Sequence, residues 1–265
     1  PRLAETKTNQ KEKMDATIIN IERNLLIFFF NPNLVYKINK LNNNYNMSIP
    51  KIIHQIWIGN KEPPQWCIDS WKINYLHKFP EWKYKLWTET EIEKLQMKNQ
   101  KIYDLEPTLR GKSDIARYEI LFKEGGIFLD ADSYWIPNSN LSDLILDKDF
   151  FVGKEPGKFM IANGVIGCSS NHKIIQDLIL HLQNNYIQDK LKFNHKYDIW
   201  QVTGPVPLNK VLKKHQNYKV YPSNYFFPEN HQRGNININR NEFRKIYPKS
   251  YMFQYWLSHN PKYQE

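Results

Sequence analysis

Ser113-Asp114-Ile115-Ala116-Arg117-Tyr118, followed by Gly125-Gly126-Ile127-Phe128-Leu129-Asp130-Ala131-Asp132, is the stretch whose reading decides the fold. Ser113 to Lys123 predicts a helix: Ser113 suits the N-cap, and Ile115, Tyr118, Leu121 and Phe122 form one apolar face. Gly125-Gly126 supplies the stop, and Ile127-Phe128-Leu129 then predicts a short buried strand. Asp114 and Arg117 lie three apart on a helix face that is otherwise apolar, which predicts a partly buried ion pair. Buried opposite charges are costly unless they serve a site or are well hydrogen-bonded. Asp130 and Asp132, at i and i+2, would share one side of an extended segment and could together hold a hard divalent cation. Spacing alone leaves a second reading equally open, an acidic turn in which Asp caps the following segment.

The flanking sequence places this stretch in an alternating pattern. Lys51 to Ile58 predicts a strand closed by Gly59-Asn60, Trp66 to Lys78 a helix, Trp82 to Trp87 a strand, and Glu89 to Lys98 a helix. Downstream, Phe150 to Gly153 and Val165 to Cys168 read as strands and Ile174 to Leu182 as a helix. The remainder reads as short helices and aromatic-rich loops. Strands alternating with helices predict an α/β sheet with crossover helices. Residues 1–47 differ: a polar start, a helical pattern around Asp15 to Phe30, then the Asn-rich Asn42-Asn43-Asn44-Tyr45-Asn46. They are expected to form a helical or partly disordered arm and linker before a domain at 48–265. The arm's apolar stripe is expected to dock on the main domain or on another subunit, the latter giving a homo-oligomer.

Composition narrows the class. At 41% hydrophobic and 24% charged, the 265-residue chain can bury a core. The net charge of +10 suits a nucleic-acid binder, but the lysines are scattered and no nucleic-acid-binding signature accompanies them. The charge is read as biased composition that also attracts anionic small molecules, and no nucleic-acid partner is expected. Cys67 and Cys168 cannot build a disulfide framework or a four-ligand zinc site, and are expected as free thiols. The longest apolar run, Leu25 to Phe30, is far short of the roughly 20 residues that span a bilayer. The expected location is cytoplasmic or otherwise soluble, or lumenal if a signal or anchor once preceded Pro1.

The run from Leu109 to Asp132 resembles the core of the DXD-containing glycosyltransferases of family 32, and is similar in motif to the glucosylating clostridial toxins. Ile49-Pro50-Lys51-Ile52-Ile53-His54-Gln55-Ile56-Trp57 resembles the family's opening strand. Thr203-Gly204-Pro205, Tyr221-Pro222 and Tyr225-Phe226-Phe227-Pro228 resemble its later landmarks. The resemblance implies a GT-A fold, Rossmann-like with a mixed sheet flanked by helices. It also implies a nucleotide-sugar donor, Mn²⁺ or Mg²⁺, and transfer that retains anomeric configuration. Ile56 and Trp57 would then pack on the base. Ser113, Asp114 and Arg117 would contact the donor, with Asp114 and Arg117 on sugar hydroxyls. Phe128 stands where relatives often carry Tyr. Asp130 would touch ribose, sugar or metal-bound water, Asp132 would bind the metal, and Asn163 would lie near the transferred sugar.

The C-terminus departs from the family. Gln254 stands where relatives have His, and His259 where Trp is usual. Ser258 or His259 is a candidate second protein ligand to the cation, set against a plain tail histidine. His54, on an apolar strand, reads as a hydrogen-bonded core histidine. The expected activity is sugar transfer from a nucleoside diphosphate donor, UDP favoured over GDP, to a hydroxyl on a glycan, lipid or protein. The alternatives are an inactive nucleotide-sugar or glycan-binding module of the same fold, and a basic nucleic-acid-binding protein.

Overall fold

The computed structural model describes residues 48–146, 148–157, 160–193, 198–230 and 239–259. The expected N-terminal arm therefore lies outside the described residues. Strand β1 (Ile52–Ile56) is central, with β2 (Lys83–Trp87) parallel on one side and β3 (Gly126–Leu129) parallel on the other. Beyond β3 come β6 (Ile161–Cys168), antiparallel, then β5 (Phe150–Lys154) and β7 (Lys219–Tyr221), giving the order β2-β1-β3-β6-β5-β7. Only β6 runs against the other five strands. The α/β architecture is what the alternating pattern predicts, and the mixed sheet is what the family resemblance implies.

Each inner strand is buried on both faces because its side chains alternate between two apolar layers. Phe128, Phe150, Val152 and Ile166 pack with Ile115, Leu121 and Leu178 from the helices. Ile127, Leu129, Phe151 and Val165 pack on the opposite layer, with Ile53, Trp71, Tyr75 and Phe226. His54 sits in this interior: Trp87 donates its indole N–H to His54 Nδ1 at 3.1 Å, so Nε2 carries the ring proton and donates to the Gly125 carbonyl at 2.9 Å. Burial lowers its pKa to about 4. His54 is a neutral core histidine, as its apolar strand suggests.

The helix preceding β3 runs from Leu109 to Glu124, four residues earlier than the sequence suggests. Ser113 is thus interior, and the cap is Thr108, whose hydroxyl accepts from Gly111 N–H at 3.1 Å. Glu106 fixes that cap by accepting from the Thr108 amide and hydroxyl at 2.8 and 2.6 Å. Gly111 lies within the first turn. The stop is as expected: Gly125 leaves the helix at φ +65°, a conformation costly for residues with a Cβ.

Other boundaries move. The helix after β2 is only Glu89–Glu93, and a separate helix, Gln100–Leu105, follows. The helix after β6 extends over Lys173–Lys192, twice the expected length, because Tyr186 continues its buried stripe. The C-terminal region, read as short helices and aromatic-rich loops, also contributes β8 (Met252–Gln254), antiparallel to β4 (Ser133–Trp135) in a second, two-stranded sheet. Among the described residues no helix is long and apolar enough to cross a membrane. Cys67 and Cys168 are free and buried.

Candidate functional site

In an open α/β sheet, ligands enter where neighbouring parallel strands depart in opposite directions, beyond their carboxyl ends. Here that point lies between β1 and β3, and the residues leaving it are Trp57 and Asp130-Ala131-Asp132. Ile56 packs into the core beneath this point, and Trp57, at the end of β1, donates its indole N–H to the Lys61 carbonyl at 2.7 Å.

Asp130 to Asp132 is not extended. Ser133 N–H reaches back to the Asp130 carbonyl at 3.0 Å, closing a turn between β3 and β4. The two carboxylates consequently part company. Asp130 Oδ1 accepts from Arg117 Nη2 at 3.1 Å. Arg117 also lies 3.3 Å from Asp114 Oδ1, donates through Nη1 to the Asn163 carbonyl at 2.5 Å, and stacks 4.3 Å over the Phe128 ring. The helix carries Asp114 and Arg117 on one face, so the ion pair the sequence predicts is formed and nearly sealed, at 8% and 6% exposure.

Asp114 is further held by Thr203, whose hydroxyl donates to Oδ2 at 3.0 Å, and by Asn163, whose amide donates to Oδ1 at 2.8 Å. Asn163 also donates to the Tyr118 hydroxyl at 3.1 Å, and that hydroxyl donates to the Thr203 carbonyl at 2.9 Å. Burial raises the Asp114 carboxyl above its ordinary range, against the opposing pull of Arg117, Thr203 and Asn163. Burial works to lower the Arg117 pKa, but Asp130 and Asp114 outweigh it and the net shift is upward. The guanidinium stays charged between two acids.

Strand β6 adapts to this cluster. Its pairing with β5 slips between Val152 and Gly153, so Asn163 to Val165 bow away from β5 while Gly164 still accepts from Asp130 N–H at 3.0 Å. A Cβ on Gly164 would stand 2.4 Å from Asp130 Oδ2, so only glycine admits the carboxylate here.

Asp132 turns the other way, towards β8. Its Oδ2 accepts from Leu257 N–H at 2.8 Å and its Oδ1 from the Gln254 amide, while its carbonyl accepts from Tyr255 N–H at 3.1 Å. Burial, and then the Asp130 charge, push the Asp132 carboxyl up to about 7. Below the turn, Gln55 clamps it by donating to the Asp130 carbonyl at 3.0 Å and to the Ser133 hydroxyl at 3.3 Å. Tyr84 donates to the Gln55 carbonyl at 2.7 Å, and Trp71 donates to Ser133 at 3.1 Å.

The fold thus joins Asp114, Arg117, Asp130, Asn163 and Phe128 in direct contact and sets Asp132 beside them across the turn. Ser113 is half-buried on the same helix, and Ser258 is exposed in the helical turn Leu257–His259. The His259 side chain lies outside the described residues. Gln55, Tyr118 and Thr203 stand in the quoted stretches but are given no site role from sequence, and Gln254 is singled out there only as a departure from the family.

The donor set suits a divalent cation. Among the described residues no three His, Cys, Asp or Glu side chains cluster for a metal ion, so the protein offers Asp132, with Asp130 Oδ1 already committed to Arg117. The Gln254 side-chain oxygen beside Asp132 is buried and has no hydrogen-bond partner. Carboxylate and amide oxygens are hard donors, and Mg²⁺ or Mn²⁺ is commonly held by one or two such groups plus substrate phosphates.

Residues 64–151 match the family described as glycosyltransferase sugar-binding region containing DXD motif. The chain is 28% identical over 215 residues to inositol phosphoceramide mannosyltransferase 3 of Schizosaccharomyces pombe, covering 74% of this chain and 55% of that protein. It is 32% identical over 133 residues to an uncharacterised glycosyltransferase of Acanthamoeba polyphaga mimivirus, covering 48% of this chain and 52% of the other. Among solved structures it is similar to the PaToxG glycosyltransferase, with TM-score 0.46, 20% identity, and coverage of 68% and 76%. The chain spans about half the length of the curated relatives it matches.

Proposed function

We propose that the chain is a glycosyltransferase of the kind with a DXD-containing sugar-binding region, and that it moves a sugar from a nucleoside diphosphate donor to a hydroxyl-bearing acceptor, retaining the anomeric configuration. The observation that carries this reading is the array Asp130–Arg117–Asp114–Asn163, with Asp114 and Arg117 nearly buried and Asp130 more open, beyond the carboxyl ends of β1 and β3. A structural ion pair gains little from such burial, whereas preorganised charges that bind and orient sugar hydroxyls gain greatly from low dielectric.

Asp114 and Arg117 would hold sugar hydroxyls, and Asp130, the most open of the three, would meet the sugar or ribose. Asn163 fixes the Asp114 carboxylate, and Trp57 with Ile56 would face the base. Asp132, with its neighbours on β8, would hold Mn²⁺ or Mg²⁺. That ion, when bound, supplies positive charge against the departing diphosphate. The protein's own contribution is orientation and exclusion of water around the reacting carbon.

The curated relatives named for mannose transfer to inositol phosphoceramide put mannosyl donors and lipid hydroxyls on the list of substrates to test. The test is a screen of UDP- and GDP-sugars with and without Mn²⁺, read by thermal shift and donor hydrolysis. A donor that stabilises the protein only with metal, and is slowly hydrolysed, is the expected outcome. Metal-dependent donor binding without turnover on any acceptor overturns the transferase reading in favour of an inactive binding module.

A further inference from the structure

The short helix Gln100–Leu105 lies against both the helix Leu109–Glu124 and the helix Lys173–Lys192. Lys112 sets its Nζ 5.1 Å over the Tyr103 ring, and Lys190 donates to the Leu105 carbonyl at 3.3 Å. On the outer side of this helical layer Leu105, Leu109, Ile187 and Leu191 are exposed, Ile187 at 56% and Leu191 at 83%. Ile187 and Leu191 stand one turn apart on one helix face, and Lys190 ties that turn to Leu105. Single exposed leucines are ordinary on a monomer, whereas apolar side chains gathered from packed helices mark an interaction surface.

The cations of this face are also unpaired. Lys98, Lys112, Lys190 and Lys192 rest over the rings of Phe122, Tyr103, Tyr186 and Phe193, at 3.8, 5.1, 5.6 and 5.2 Å. None of the four pairs with a carboxylate among the described residues. The nearest acids in the chain are already engaged. Asp104 accepts from Gln100 at 2.8 Å, Asp189 pairs with Lys210 at 3.7 Å, and Glu106 is buried with Thr108 and Tyr186 on its oxygens. Lysine stems laid along apolar surface with the ammonium left in water are the arrangement of a protein at a lipid interface.

We infer that this face seats the protein on an anionic lipid bilayer, the leucines and Ile187 entering the acyl boundary while the lysines meet the headgroups. Nucleic acid would use the same lysines but gain little from exposed leucines, so the interleaving of the two favours lipid. The inference deepens the proposed function and rests on it for one step, that the acceptor hydroxyl is borne by a lipid. Leu109 lies against Gly59, just past Trp57 at the carboxyl end of β1, and Asp114 follows on the same helix about 8 Å along its axis. A bilayer on this face therefore brings headgroups beside the charged array.

The experiment is co-sedimentation of the whole chain, without donor or acceptor, with vesicles of phosphatidylcholine alone and of phosphatidylcholine with phosphatidylserine. Binding is expected only to the mixed vesicles, and weakens as salt rises. A chain of net charge +10 is drawn to any anionic surface, so the deciding variant leaves charge untouched. Ile187→Ser with Leu191→Ser is expected to lower partitioning about tenfold or more, whereas Ile73→Ser with Leu146→Ser, also exposed but elsewhere, leaves it unchanged. Loss with neither pair overturns the inference and leaves a general polyanion surface, nucleic acid included; equal loss with both pairs overturns it too. A second measurement reads depth. Cys67 and Cys168 are buried, so a nitroxide placed on Leu191→Cys reports that position alone. On vesicles its collisions with oxygen should rise over those with a water-soluble relaxant, and those of a label on Leu146→Cys should not. A label at 191 that stays in water on vesicle-bound protein overturns the inference. Failure is separable from failure of the transferase reading. Transfer to water-soluble acceptors without vesicle binding overturns only the lipid face, and vesicle binding without transfer to any acceptor overturns only the activity.

Discussion

Asp130 and Asp132 stand two residues apart, yet they belong to differently built regions. The Asp130 side is closed by charge: Arg117 is shared between two acids, and Asn163 and Thr203 complete Asp114. The Asp132 side is closed by neutral groups, an amide and one backbone N–H, and its carboxyl is pushed up to about 7. The first region is fixed before any ligand arrives. The second holds its acid in an environment that disfavours the charged form. Under the proposed function, recognition falls to the first arm of the turn and cation binding to the second.

Breaking the charged side should have the largest effect. Arg117→Met leaves Asp114 and Asp130 without their partner, and truncating one member of a buried ion pair costs about 3–5 kcal/mol. Chemical denaturation should show that loss together with loss of transfer; a stable, active variant would mean that the array is ornamental. Asp132→Asn should behave oppositely. Transfer supported by metal should fall by at least about 100-fold, as expected on losing several kcal/mol of cation stabilisation, while the fold survives. Because the folded-state pKa of Asp132 lies above that of the unfolded chain, the native state binds the extra proton between about pH 4 and 7. Stability from this group therefore declines as pH rises through that window. Asn should remove the decline, so at pH 8 the variant's melting temperature should equal or exceed that of the unaltered chain.

His54, outside both arms, gives a control of opposite slope. Its pKa is lowered to about 4, so the unfolded chain binds the proton first and stability drops as pH falls from about 6.5 towards 4. The shift corresponds to about 3 kcal/mol, and His54→Gln should flatten the acid limb of a stability-against-pH curve. The smallest effect is expected from Thr203→Val, which removes one of two side-chain hydroxyl or amide donors to Asp114. About 1 kcal/mol of stability and a roughly tenfold loss in kcat/KM are expected, and an unchanged kcat/KM would place Thr203 outside the site.

Much of the charged side is legible in the chain. Asp114 and Arg117 are neighbours by helical periodicity, and the glycine pair and apolar triplet mark how the helix returns to the sheet. The helix start is misread because Thr108 is held as cap by Glu106, while Gly111 and Ser113 carry stronger local signals for an end than for an interior. The carboxylates are misplaced onto an extended segment because the turn depends on Gln55 and Trp71, whose grip on Asp130 and Ser133 crosses more than 60 residues.

Local order is set by spacing, so the sequence by itself determined the α/β alternation, the helical ion pair, the glycine stop and the buried strand that runs into two acids. Tertiary structure alone decided where each acid points. A slipped register in β6 opened the Asn163 and Gly164 carbonyls to Arg117 and Asp130, and the two-stranded β4–β8 ribbon carried Gln254 and the Leu257 N–H to Asp132. Contacts across so long a separation follow from which faces must be buried together, and no neighbouring residue in the chain encodes them.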